Sequence, residues 1–319
     1  MLLEVSNVTD FYLSCFQQPL ATTISYFNRD YLLMYTTAWN FSETFLHAFN
    51  GIESNVEMYS TLGAIEKYIG IKSYINIITD YELVIEGIKK ELENGNPVVA
   101  YMNPYWCTWS SSYQLGRATH HYVLIIGYEE THFWCYDMRS TGPEKLTYEA
   151  FKMGSKEYIT FRLEKQPTFD INQLKINICH EMNLFNNDNY NMFKNMISFA
   201  ERMKNKFNIT EEIDGYIPYK FAPIFTWIKE ICVSRRKMVF LYEYISNFEK
   251  NLDNKLWCEQ FEDLYKEWYS IRLALFKSIS STKSSRIYEN IYNRIISIEA
   301  KERLLFDDIF NWLIISDNS

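Results

Sequence analysis

The sequence predicts an α+β chain in two parts: a helix-plus-antiparallel-sheet domain over residues 1–165, followed by an all-α helical domain over 166–319. Three observations predict it. Helix-period and strand-period patterns alternate up to about residue 165. The strand signals stop at Gln166-Pro167. Beyond that point Asn191–Phe207, Phe225–Phe248, Leu256–Ile279 and Ser285–Leu313 keep apolar residues at helical spacing with charged opposite faces. A length of 319 residues suits two domains, each able to bury a core.

In the first part, Asp80 is placed to cap a helix over Tyr81–Asn94 that carries Val84, Ile85, Ile88 and Leu92 at helical spacing. Gly95 suits the position after the helix, and Asn96-Pro97 ends it. Val98–Met102 reads as a short buried strand, followed by an aromatic loop from Asn103 through Tyr105, Trp106 and Trp109. Next, His121 opens an apolar strand, Phe133–Asp137 reads as its hairpin partner, and Tyr158–Leu163 is a further strand. In the second part, breaks fall at 216–223, 251–254 and 278–285, and Leu174–Leu184 is ambiguous between states. The long aromatic-rich helices are compatible with a homodimer or with packing inside one chain.

Composition excludes several classes. The apolar fraction is 47% and Gly and Pro are few, as in a globular chain. Net charge is −8 and basic clusters are short, which argues against a nucleic-acid partner. The 25 Tyr and 22 Phe are read as core and margin packing. No apolar run approaches the roughly 20 residues of a membrane span, and Met1-Leu2-Leu3-Glu4 does not open a signal peptide. The six cysteines are scattered without a CxxC pair, so no metal site is expected. The expected location is a reducing cytoplasm. Ser234-Arg235-Arg236-Lys237 is a basic cluster on a predicted helix, read first as a solvated face and second as a dock for an acidic partner.

The chemistry is carried by Cys15, His121 and Asp137. Pro19 prevents a regular helix from extending far N-terminal of Cys15, because its ring clashes with the carbonyl four residues back. The helix therefore starts at or just beyond Cys15, which places the thiol at the positive end of the helix dipole. The bland reading of Cys15 is a small buried hydrophobe. His120 and His121 face opposite sides of a strand, so one of them addresses the cleft. Asp137 shares the face of His121 if the hairpin loop has three or five residues, and that of His120 if it has four; the sequence does not choose. A carboxylate on an aromatic strand calls for a donor such as an imidazole N–H.

Thiol, imidazole and carboxylate in that chain order match papain-like thiol enzymes. With Gly95-Asn96-Pro97-Val98-Val99, the aromatic loop, His121-Tyr122-Val123-Leu124-Ile125-Ile126-Gly127-Tyr128 and Tyr136-Asp137, residues 5–165 resemble the N-terminal domain family of butirosin-biosynthesis protein H. The resemblance implies a papain-like fold with an N-terminal catalytic helix, related to bacteriocin-processing cysteine peptidases. It further implies acyl transfer from the phosphopantetheine of an acyl or peptidyl carrier protein to a small-molecule or peptide amine in natural-product biosynthesis. Cys15 would be the nucleophile, His121 the base and acid, and Asp137 its orienter. The protein itself would need no cofactor. Asn103, Tyr105, Trp106, Trp109 and His120 would bind substrate, with core and lid packing as the alternative for the aromatics. Two positions depart from the family pattern. Thr9 and Asp10 stand where relatives carry an oxyanion-donating Gln, and Asn103 where many carry Asp. A peptidase or amide hydrolase with the same trio, and a non-catalytic binding protein, are the competing readings.

Overall fold

The computed structural model describes the whole chain except residues 42–54, 116–120, 139, 168–169, 185–190, 217, 250–253, 283 and 316–319. The chain packs as two compact units, Met1–Leu33 with Leu62–Pro167 and Gly215–Phe221, and Met34–Thr61 with Thr168–Asp214 and Ala222–Ser319.

The first unit is α+β. Helix α1 (Gln17–Tyr26) belongs to it, whereas most of the 3₁₀ turn (Leu32–Thr37) and of α2 (Asn55–Ala64) falls in the second unit. The π turn (Ile65–Ile69) that continues α2 is back in the first and is ended by Gly70. The sheet is formed by β1 (Ile71–Ile77), β2 (Val98–Met102), β3 (His121–Tyr128), β4 (His132–Tyr136), β5 (Glu144–Thr147) and β6 (Glu157–Leu163). All pairs are antiparallel, in the order β1-β6-β2-β3-β4-β5. Two helices complete the unit, α3 (Tyr81–Glu93) and α4 (Tyr148–Gly154). The predicted caps of α3 are present. The Asp80 side chain accepts from the N–H groups of Glu82 and Leu83 at 3.0 and 3.2 Å, and Gly95 takes a positive φ of 79° just beyond the helix.

Ile85, Ile88 and Leu92 of α3 bury one helical stripe against Val98, Ala100 and Met102 of β2 and Val123 and Ile125 of β3. Phe133, Leu146 and Phe151 close that core, each such side chain contributing about 1.5–3 kcal/mol by leaving water. The edge strands β1 and β5 were not anticipated from the sequence. The short β5 and the polar interruptions Lys72-Ser73 and Asn76 blur their period-two signal.

The second unit is helical: α5 (Ile171–Leu184), α6 (Met192–Asn205), α7 (Ile209–Glu212), α8 (Pro223–Ser246), α9 (Lys255–Ile279) and α10 (Ser284–Ile315). The ambiguous segment is thus a helix, with Leu174, Ile178 and Met182 buried on one face. At the centre of the unit, Arg235 forks onto Glu302, Nε to Oε1 at 2.9 Å and Nη2 to Oε2 at 2.7 Å. The same carboxylate accepts the indole N–H groups of Trp39 and Trp268 at 3.0 and 2.9 Å, and both charged side chains are fully buried. Trp39 comes from the N-terminal half of the sequence, which is why Met34–Thr61 packs with the helices.

This centre corrects both readings of the basic cluster on α8. Arg235 and Lys237 are buried, and Arg236 pairs with Glu262. Burial with ionic partners, rather than solvation or docking, accounts for these charges. Among the described residues, no helix is long and apolar enough to cross a membrane.

Candidate active site

The thiol sits in a capped first turn. Ser14 Oγ accepts from the Gln17 N–H at 3.1 Å, and the Gln17 side-chain oxygen accepts in return from the Ser14 N–H at 3.4 Å. The Gln18 N–H reaches the Ser14 carbonyl at 3.0 Å, the first α-type bond. Ser14-Cys15-Phe16-Gln17 is therefore a capping box, with Cys15 in the turn that leads into α1, two residues before Gln17, and Pro19 within the first turn of the helix. Cys15 is half-buried there, at the end of α1 where the dipole and the first-turn N–H groups favour negative charge. The Ser-x-x-Gln pattern was available in the sequence.

His121 opens β3 opposite Met102 of β2. Its Nε2 lies 2.9 Å from Asp137 Oδ2, and its side chain is also hydrogen-bonded to Cys15. With Nε2 taken by the carboxylate, Nδ1 is the ring nitrogen left for the thiol. Burial alone would push the imidazole down. The hydrogen bonds from Asp137 and Cys15 and their charges outweigh it and raise His121 to about 10. Burial pushes Asp137 up, but the bond and charge of His121, the Trp109 indole and the Met138 N–H together hold its carboxyl below the ordinary carboxylate range.

The face of Asp137 is decided by a β-bulge. At the turn the strands pair Tyr128 with Phe133, an even-loop register that would place Asp137 on the His120 side. The register shifts between Ile125 and Gly127, and beyond it Ile125 pairs with Cys135 and Leu124 with Tyr136. That one-residue slip returns Asp137 to the face of His121. His120 lies outside the described residues.

The aromatic loop divides between two roles. Trp109 donates from Nε1 to Asp137 Oδ2 at 2.6 Å, so one oxygen of the carboxylate receives both the indole and the imidazole. Trp106 packs beside Gly154, where a Cβ would come within 3.1–3.2 Å of the indole side chain. Tyr105 meets Trp106 edge to face. Asn103 caps the 3₁₀ turn Pro104–Trp106 by accepting the Tyr105 N–H at 3.0 Å, and its own N–H bonds the Gly154 carbonyl. Sequence reasoning missed Trp109 as a partner of the carboxylate, and also Asn7, whose side-chain amide bonds the carbonyls of Asp137 and Ser140. Among the described residues, no group of three or more His, Cys, Asp or Glu is placed to hold a metal ion.

A thiol at a helix start, joined through an imidazole at a strand mouth to a carboxylate, on a six-stranded antiparallel sheet, is the arrangement of a papain-like cysteine enzyme. In keeping with it, residues 17–164 match the model of the Peptidase_C39-like family, 148 of the 319 residues. The N-terminal region is thus similar to that family. A solved structure, a putative C39-like peptidase from Bacillus anthracis, aligns with 19% identity over 33% of this chain and 59% of that one, with a TM-score of 0.25. No curated protein matches the sequence.

Proposed function

We propose that the protein is a cysteine-dependent acyltransferase that takes a thioester-bound acyl group from a carrier-protein phosphopantetheine and passes it to an amine. The observation carrying this reading is the imidazole of His121, hydrogen-bonded on one side to Cys15 and on the other to Asp137. The raised basicity of His121 favours a thiolate–imidazolium pair as the resting state. In the first half-reaction the Cys15 thiolate attacks the donor carbonyl. The carbon–sulfur bond to phosphopantetheine breaks, and the departing thiolate takes the proton of the His121 imidazolium. In the second, an acceptor amine attacks acyl-Cys15 and gives its proton to His121. The Cys15 thiolate departs, and the pair is restored with an amide formed.

Asp137 orients the ring throughout and stabilises the imidazolium. The Cys15 N–H, in the turn that leads into α1, is one oxyanion donor in this reading. Tyr105 and Trp106 serve the acyl or pantetheine arm on the turn shaped by Asn103, and exclusion of water favours aminolysis over hydrolysis. The likeness of the whole arrangement to the family of butirosin-biosynthesis protein H, with a cytoplasmic location, belongs to the same proposal.

A second reading, a peptidase or amide hydrolase, is favoured by one observation, the family match to C39-like peptidases. Product analysis separates them. The full chain is incubated with an acyl-phosphopantetheinyl carrier protein plus a panel of amines, and separately with peptides. Amide formed in excess of free acid supports transfer. Release of free acid with every amine, or peptide cleavage by a Cys15-dependent route, overturns it in favour of hydrolysis.

A further inference from the structure

Cys15 and Asp137 are connected by two routes. One runs through His121. The other runs through Asn7. Its Nδ2 donates to the carbonyl oxygens of Asp137 and Ser140 at 3.5 and 3.3 Å. Its Oδ1 accepts from Gln18 Nε2 and, at 3.3 Å, from Thr22 Oγ1. Gln18 and Thr22 are fully buried on α1, one and two turns beyond Cys15. Ser140 Oγ in turn accepts the Asp137 N–H at 3.3 Å, which ties the turn to itself. The contacts therefore close a ring: Cys15, His121, Asp137, Asn7, Gln18, and back along α1 to Cys15.

The segment leading to Asn7 is fixed to the strands that carry the other two groups. The Leu3 N–H bonds the carbonyl of Ile126, the residue at the bulge, at 2.8 Å. Leu2 bridges Gly127, where an added Cβ would lie 2.6 Å from the Met1 carbonyl oxygen. The Tyr136 hydroxyl donates to the Val5 carbonyl at 3.2 Å. One short stretch of chain thus touches both the bulge that selects the face of Asp137 and the turn that holds it.

We propose that Asn7 is a positioning residue, whose amide holds the turn carrying Asp137 against the helix carrying Cys15 and so sets the spacing across His121. The inference rests on the reading of Cys15, His121 and Asp137 as the reacting trio. An amide is the side chain this place requires. It must donate to two carbonyls on one side and accept two donors on the other, which neither a carboxylate nor a hydroxyl of this reach does. The leverage is large because a misplacement of about 1 Å between reacting groups costs roughly 100-fold in rate.

The test is the rate of Cys15 alkylation by iodoacetamide at pH 6 and pH 9, read by mass spectrometry of the Cys15 peptide, in the full chain and in Asn7→Ala and Asn7→Asp. An unpaired thiol is about 1% thiolate or less at pH 6, so fast labelling there reports the pair with His121. Asn7→Asp keeps the acceptor for Gln18 and Thr22 but turns a carboxylate oxygen toward two carbonyls, so it perturbs the same joint without emptying it. In both variants the pH 6 rate is expected to fall by about tenfold or more, with the pH 9 rate changed by less than about threefold. A merely structural role would lower the melting temperature and leave the ratio of the two rates as in the parent. That result in either folded variant overturns the proposal. Absence of fast pH 6 labelling in the parent chain would instead overturn the reading of the trio itself.

Discussion

Replacing Asp137 by Asn tests how far the carboxylate governs His121. The substitution keeps the size of the side chain and leaves an oxygen for Nε2, but removes the charge. Against burial, the bond and charge of Asp137, with those of Cys15, raise His121 to about 10 from an ordinary 6.5, so the imidazolium is favoured across neutral pH. Loss of the Asp137 charge therefore lowers the midpoint of the His121 titration, by about 1–3 pH units for one close opposite charge. The sign for stability follows. A histidine raised in the folded state adds stability that is fully present below 6.5 and is lost as pH rises through about 10. The parent should accordingly lose stability across that window, and Asp137→Asn should lose less of it and start from a lower level. The assay is ring-carbon NMR titration of 13C-histidine-labelled protein, beside denaturant unfolding at pH 6.5 and pH 10. A His121 midpoint unchanged in Asp137→Asn would mean that the basicity of His121 does not come from Asp137.

Other outcomes follow from the same geometry. Trp109→Phe removes the 2.6 Å donor to Asp137 Oδ2, worth about 1.5–3 kcal/mol for a bond to a charged group. Because a depressed carboxyl adds stability that is present above its ordinary range and lost as pH falls through the depressed value, the acid-unfolding midpoint of the variant should move upward. Glu302→Gln leaves Arg235 buried without its anion and should cost about 3–5 kcal/mol in denaturant unfolding. Glu262→Gln, at the partly exposed Arg236 pair, should cost about 1 kcal/mol or less. Gly127→Ala, which would drive a Cβ onto the Met1 carbonyl and Leu2, should raise hydrogen exchange at the Leu3 amide and slow Cys15 labelling at pH 6.

Much of this architecture was legible because single residues carry strong local rules. Asp80, Gly95 and Pro97 bracketed α3 through capping and φ preferences, and the apolar runs of β2 and β3 marked the centre of the sheet. Pro19 located the start of α1, since a missing N–H and a ring clash are local facts. What stayed hidden depends on relations between distant segments. The face of Asp137 turns on a bulge near Ile126, and a bulge has no residue signature beyond the Gly that follows it. Trp109 and Asn7 look like ordinary loop residues until the fold brings them to Asp137. The charges of 234–237 suggested solvent, whereas Glu302, 67 residues beyond Arg235, makes burial tolerable. The pairing of Trp39 with that carboxylate spans 263 residues and had no trace in local periodicity.

The most direct test of the central claim is where an acyl group lands. The full chain is incubated with a short-chain acyl-phosphopantetheine thioester in the absence of any amine, quenched in acid and mapped by peptide mass spectrometry. An acyl thioester is expected on Cys15 alone, absent from Cys15→Ala and formed at least about 100-fold more slowly in His121→Ala. Thioester consumption with Cys15 unmodified, or acylation of Cys15 at the parent rate in His121→Ala, would contradict that claim.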